Sequence, residues 1–328
     1  MESFLFALNA VTPLIALVVI GYLIKRVGWM EGDLPAKLNR LVFRVFLPAT
    51  LFLNVYKISD PGAIDFSYVL YVMAGVLVIF SVALAVVLWL IPQPERRGAV
   101  LQGSFRSNFA LVGLHLAGSL AGEEGVIAAS ILTAVVVPAF NVMAIISLSV
   151  FRSDGGKVSV RKVLKDIFEN PLIRSIFLGA MMLVIRGIFE ANDVSFRLTD
   201  IQPLYTTLDY LSRISTPLAL LVLGAQFEFS AVASLKKELA LGILLRTVLA
   251  PALTLGIAYF FFRDRFLPAH FAAIAAVFST PVAVSSVPMA QEMKGDHILM
   301  GQLVVWTTFF SAFSIFFASF LLRLGGAL

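Results

Sequence analysis

Ten times along this chain, an apolar run of about twenty residues builds up before charged or turn-forming residues interrupt it. That is the helical length needed to cross a hydrocarbon core of about 30 Å. In lipid each run must satisfy its own backbone hydrogen bonds, and a helix does so within the segment. Composition agrees: 59% of the 328 residues are apolar, 14% are charged, and mean hydropathy is +0.94. The expectation is an all-α polytopic membrane protein.

The runs place segments 1 to 10 at about residues 5–25, 36–56, 67–91, 99–121, 125–151, 171–189, 203–226, 238–262, 268–292 and 298–323. Links between them are short, so no soluble domain is inserted. The longest, "RSDGGKVSVRKVLKDIFEN" (Arg152–Asn170), reads as a flexible basic linker at the midpoint. It separates a first half, 1–151, from a second, 171–328. Glu2 stands where a signal peptide would carry positive charge, and Lys25–Arg26 follow the first run, so an uncleaved first helix is expected. Odd-numbered loops and their flanks hold fourteen Lys and Arg, against six in the even loops and C-terminus. The positive-inside rule then sets odd loops in the cytoplasm and both termini outside, in a plasma (inner) membrane. The net charge of +5 is spread over these loops and calls for no nucleic-acid partner. There is no cysteine, hence no disulfide and no thiolate metal site; no metal or cofactor is expected.

The two halves resemble each other. "TPLIALVVIG" (Thr12–Gly21) aligns with "NPLIRSIFLG" (Asn170–Gly179), and "RVFLP" (Arg44–Pro48) with "RISTP" (Arg213–Pro217). "FRSNFALVGLHLAGSLAGEE" (Phe105–Glu124) aligns with "FSTPVAVSSVPMAQEMKGDH" (Phe278–His297), setting Asn108 opposite Pro281, Gly113 opposite Ser286 and His115 opposite Pro288. Five segments per half is an odd number, so the repeats are inverted. Inverted repeats are a common build of secondary transporters, with the site at the midplane. Segments 4 and 9 are the pair interrupted by polar residues, glycines and prolines. Backbone breaks at membrane depth survive only where protein or a watery cavity meets the freed groups. Two broken helices crossing there would offer half-helix termini to an anionic ligand.

"FRSNFALVGLHLAG", "VVVPAFNVM" (Val135–Met143) and "PVAVSSVPMAQEMKGD" (Pro281–Asp296) resemble the auxin efflux carriers and their bacterial relatives, proposed to move malate, malonate and similar acids. The resemblance covers essentially all ten segments. It implies a scaffold of segments 1, 2, 6 and 7, a transport unit of segments 3–5 and 8–10, and a homodimer. It also implies that segments 4 and 9 are unwound and cross, with Asn108 at the crossing against substrate. A proline follows that asparagine by seven residues in the family; here the position is His115. Pro281 matches the family's segment 9 proline, and Pro288 is not carried over.

Each residue also has a plainer role. Asn108 could be a packing amide, but repeat and motif together make it a substrate contact. His115 reads either as a cap for freed carbonyls or as a titratable ligand that makes the proton a candidate coupling ion. Ser107 and Gly113 belong to the break, Asn141 supports it beside Pro138, and Ser285 and Ser286 either line it or permit close helix approach. Arg44 and Arg213 snorkel. Arg246, deeper in its span, is a candidate partner for substrate or for a carboxylate, and Arg106 lies between these cases. Glu123, Glu124, Glu292 and Asp296 fall at span ends, solvated or capping. HExxH, GxxxxGK[ST] and GxGD motifs are absent, which disfavours an enzyme. The reading is a carrier of small organic anions working by alternating access; an anion channel is the alternative, and a membrane-embedded enzyme a more distant one.

Overall fold

The structure, a computed structural model, describes residues 2–57, 66–151 and 160–328. Among the described residues the chain is helical, with one isolated β-bridge and no strand. Six helices are long and apolar enough to cross a membrane: Leu34–Tyr56, Ser67–Leu90, Phe109–Val150, Pro171–Ala191, Lys236–Phe262 and His297–Leu324. Two further long helices, Glu2–Arg26 and Gln202–Gln226, coincide with the first and seventh apolar runs.

Local chemistry sets most of the boundaries. Pro94, Pro171 and Pro268 stand in the first turns of their helices, where a missing N–H leaves no bond unmade. Asn170 and Asp296 cap the helices that follow, accepting from Leu172 N–H and Leu299 N–H at 2.9 Å each. The "NPLI" of the second repeat is thus an N-cap followed by an N1 proline. The stretch Phe109–Val150 is about twice the length of one crossing, and it breaks at Ala121 and Gly122. Gly122 has φ +60° and ψ −146°, a conformation essentially confined to glycine.

The flexible-linker reading is corrected in part. Residues 152–159 lie outside the described residues, but Val160–Glu169 is a helix. Val160, Val163, Leu164, Ile167 and Phe168 recur with helical period, a signal that the charges around them obscured.

Close helix packing stands out in two places. In one, helices Glu2–Arg26 and Gln202–Gln226 meet backbone to backbone: a Cβ on Gly21 would lie 2.0 Å from the Leu221 carbonyl oxygen, and one on Gly224 2.0 Å from that of Val18. Pro171–Ala191 likewise leans on Leu47–Tyr56 through Gly179, whose Cβ would lie 2.8 Å from the Phe52 oxygen. In the other, the short helix Pro268–Ser279 (PAHFAAIAAVFS) is buried along almost its whole length. Its alanines let helix Leu114–Val150 approach closely. Single π-helical turns interrupt segment 2 at Val42–Phe46 and segment 8 at Leu245–Leu249.

Candidate functional site

Helix Pro94–Phe105 ends as Arg106 turns to φ −82°, ψ 98°, and helix Pro268–Ser279 ends as Thr280 turns to φ −79°, ψ 156°. The chains then run antiparallel past each other, pairing Ser107 with Val282. Asn108 N–H donates to the Pro281 carbonyl at 2.7 Å, and Ala283 N–H to the Arg106 carbonyl at 3.1 Å. Helical winding resumes at Phe109–Gly113, as a π-turn, and at Ser286–Glu292. Two breaks that would each strand backbone groups therefore satisfy one another.

Four further carbonyls are met by Arg246. Fully buried on the π-turn of segment 8, it donates to Val277 O at 2.7 Å, Thr280 O at 2.8 Å, Phe105 O at 3.3 Å and Ser104 O at 3.5 Å. These are the C-terminal carbonyls of both half-helices, the negative ends of two helix dipoles. Arg246 was expected to face substrate; its fork is instead occupied by backbone, and it is a structural clamp.

Arg106 is different. It is 3% exposed, and its Nη2 donates to Asn141 Oδ1 at 2.9 Å and Ser285 Oγ at 3.0 Å. Its Nη1 reaches only the Met289 thioether, at 2.8 Å. No carboxylate among the described residues lies within ion-pair distance of it. Around it, Ser107 Oγ, Asn108 Nδ2, Ser286 Oγ and Gln102 Oε1 are buried and meet no hydrogen-bonding partner in the protein. Native interiors leave few such groups, and each costs about 1–3 kcal/mol.

Residues 6–319 match the membrane transport protein family, which is of the auxin-efflux-carrier type that the motifs resemble. The chain belongs to this family. An uncharacterized transporter of Methanothermobacter thermautotrophicus is 23% identical over 322 residues, spanning 95% of this chain and 97% of that one. The match to this membrane transport family runs through both breaks and every helix between them.

Of the other expected site residues, Asn141 lies against Arg106, its Nδ2 donating to Val137 O at 2.8 Å beside Pro138 while its Oδ1 accepts from Arg106. Gly113 lets the chain beyond the crossing press on helix Pro268–Ser279; a Cβ there would sit 2.4 Å from Phe109 Cδ2 and 3.0 Å from Ala276 O. Pro288 does not break a helix. It is buried in the first turn of Ser286–Glu292, where its lacking N–H costs nothing.

His115 is not at the crossing. It is exposed, and its Nδ1 donates to the Leu111 carbonyl of its own helix at 2.9 Å. Seven α-helical residues would have returned it to the face of Asn108. Asn108 is non-helical, however, and the turn between them is π-wound, so that phase is lost.

Sequence reasoning passed over several groups. Arg106 was left unassigned, and Gln102 and Met289 were not singled out. Asn39, 1% exposed, donates to Gln226 Oε1 at 3.0 Å and Gln291 Oε1 at 2.6 Å, joining segments 2, 7 and 9. Glu292, read as an end-of-span acid, pairs with Arg40 at 3.2 Å and Arg44 at 3.3 Å, so Arg44 does more than snorkel. Arg213 pairs with Asp209 of its own helix at 2.6 Å.

Proposed function

We propose that this membrane transport protein is a secondary carrier of small organic anions, working by alternating access around the crossing of segments 4 and 9. The observation that carries this reading is a buried guanidinium with no carboxylate partner among the described residues, beside orphaned side chains where two broken helices meet. An ionisable residue at membrane depth is expensive and is by default functional. A cation that the protein does not neutralise suits an anion that comes and goes.

The reading includes two inverted five-helix repeats with both termini outside. One support is the breaks themselves, centred on Asn108 and Pro281, which the repeat sets opposite each other. Another is a pair of glycine contacts. Gly21 and Gly179 are equivalent in the repeat, and in the register that aligns Arg44 with Arg213, Phe52 falls opposite Leu221. Gly21 packs on the Leu221 carbonyl and Gly179 on the Phe52 carbonyl, so the two contacts are images of one another. Segments 1, 2, 6 and 7 would form the scaffold, against which segments 3–5 and 8–10 move.

In this conformation Arg106, Ser107 and Asn108 are all buried, which suits an occluded state. Asn39–Gln291 and the Arg40/Arg44–Glu292 pairs join the proposed scaffold to the proposed transport unit near its cytoplasmic end. The test is uptake into proteoliposomes of a panel of labelled mono- and dicarboxylates. Saturable uptake with counterflow is expected. Current at ionic diffusion rates would make the protein a channel, and no flux of any anion would end the anion-carrier reading.

A further inference from the structure

We infer that Arg106 and Gln102 form the carboxylate-binding pair of the crossing, and that the thioether of Met289 occupies the carboxylate's place while the site is closed. This rests on the carrier reading above and names the chemistry its substrate must bring.

The inference starts from one sulfur atom. Arg106 Nη1 lies 2.8 Å from Met289 Sδ, and Gln102 Nε2 lies 3.5 Å from the same atom. Both donors are buried, as is Met289, and the Gln102 side-chain oxygen Oε1 has no partner in the protein. Gln102 and Arg106 are four residues apart, joined by the Arg106 N–H···O=C Gln102 bond that ends the helix. That spacing brings their side chains side by side. The other half of the guanidinium has proper acceptors in Asn141 and Ser285. Only this edge points at a thioether, a weak acceptor.

A carboxylate is what these donors fit. Charge-assisted N–H···O⁻ bonds are about twice as strong as neutral ones, and arginine takes a carboxylate on two donors at once. With one oxygen on Nη1 and the other on Gln102 Nε2, both weakly met donors would gain a strong acceptor. Met289 is suited to leave: it is unbranched, flexible and uncharged. It also stands on the short helix Ser286–Glu292, next to the extended residues of the break.

Charge sets the class further. The two helix C-termini that Arg246 caps carry roughly half a negative charge each, which together offset its one positive charge. Arg106 has no such offset among the described side chains, so its own charge calls for one carboxylate. A second carboxylate carried into the same interior would be unpaired and costly. The substrate class is therefore a monocarboxylate, or a dicarboxylate that binds with one acid protonated.

The test uses purified full-length protein with propionate, phenylacetate and succinate as probes. Of nine methionines, Met289 is identified in a ¹³C-methyl spectrum by the signal lost in Met289→Leu. Saturation with a monocarboxylate should move that methyl resonance, and in Arg106→Gln it should stay fixed. Gln102→Leu should weaken monocarboxylate affinity about tenfold or more, and Met289→Leu should strengthen it. Arg106→Lys, which keeps the charge but loses the fork, should bind weakly and so separate lost recognition from lost folding. Wild-type protein that transports these acids while its Met289 methyl stays unmoved, or while Gln102→Leu binds normally, overturns the inference and leaves the carrier reading standing. Succinate bound more tightly as its dianion than propionate would overturn the single-charge assignment.

Discussion

Arg106 and Arg246 are both buried where the same two helices break, and they do opposite things. Arg246 directs its donors at four backbone carbonyls of the half-helices that end there. Arg106 is held by an amide oxygen, a hydroxyl and a sulfur. One cation closes a deficit that the fold itself creates; the other leaves a deficit open. At membrane depth, then, position says less about an arginine than what its fork touches.

Making the same substitution at both positions is the strongest way to break this comparison. Arg246→Met orphans up to four buried carbonyls, at about 1–3 kcal/mol each, against a typical folding free energy of about 5–15 kcal/mol. It should abolish monodisperse protein in detergent or sharply lower its melting temperature. Arg106→Met removes a buried charge and leaves Asn141 Oδ1 and Ser285 Oγ to readjust. Exchanging buried charge for apolar volume is often neutral or stabilising, so its melting temperature should match or exceed wild type while carboxylate binding disappears. Equal losses of stability at the two positions would erase the distinction.

Asn108 sharpens it. Its backbone is fixed by Pro281, but its Nδ2 has no partner. Asn108→Ala keeps the backbone bond and deletes an unsatisfied group, so thermal stability should hold within about 1 kcal/mol while uptake is lost. A packing amide would give the reverse result, with lowered stability and retained transport.

A third expectation concerns movement of segment 2 against segment 9, across the proposed scaffold and transport units. Because the chain has no native cysteine, Asn39→Cys with Gln291→Cys creates one thiol pair across the polar contact. Bridging it with a short bifunctional thiol reagent should arrest uptake, and each single mutant should stay active under the same reagent. Full transport by the bridged protein would mean that segments 2 and 9 do not separate during the cycle.

What the sequence disclosed follows how local each signal is. Apolar runs and the span-end residue Asp296 are signals contained in one segment, so the spans were legible. The break at Arg106–Asn108 was legible too, since polar residues and glycines in an apolar run need a partner. The roles of Arg246 and Arg106 were not, because they depend on which carbonyls a distant break frees. The π-turns at Val42–Phe46, Phe109–Gly113 and Leu245–Leu249 left no pattern that periodicity could detect. The second of them is what displaced His115.

His115 supplies the smallest expected effect. Were it at the crossing, replacing it would change how carboxylate affinity depends on pH. The structure puts it in another setting: exposed, with Nδ1 hydrogen-bonded to the Leu111 carbonyl of its own helix. His115→Gln should therefore reproduce the wild-type dependence of carboxylate affinity on pH across the neutral range. An acid of low pKa should be used, so that its own titration lies outside the window. His115→Pro is a harsher variant, since proline cannot donate within a continuous helix and crowds the preceding turn. It should lower stability without changing the shape of the pH curve. A flattened curve in His115→Gln would return the imidazole to the substrate, and with it the proton as coupling ion.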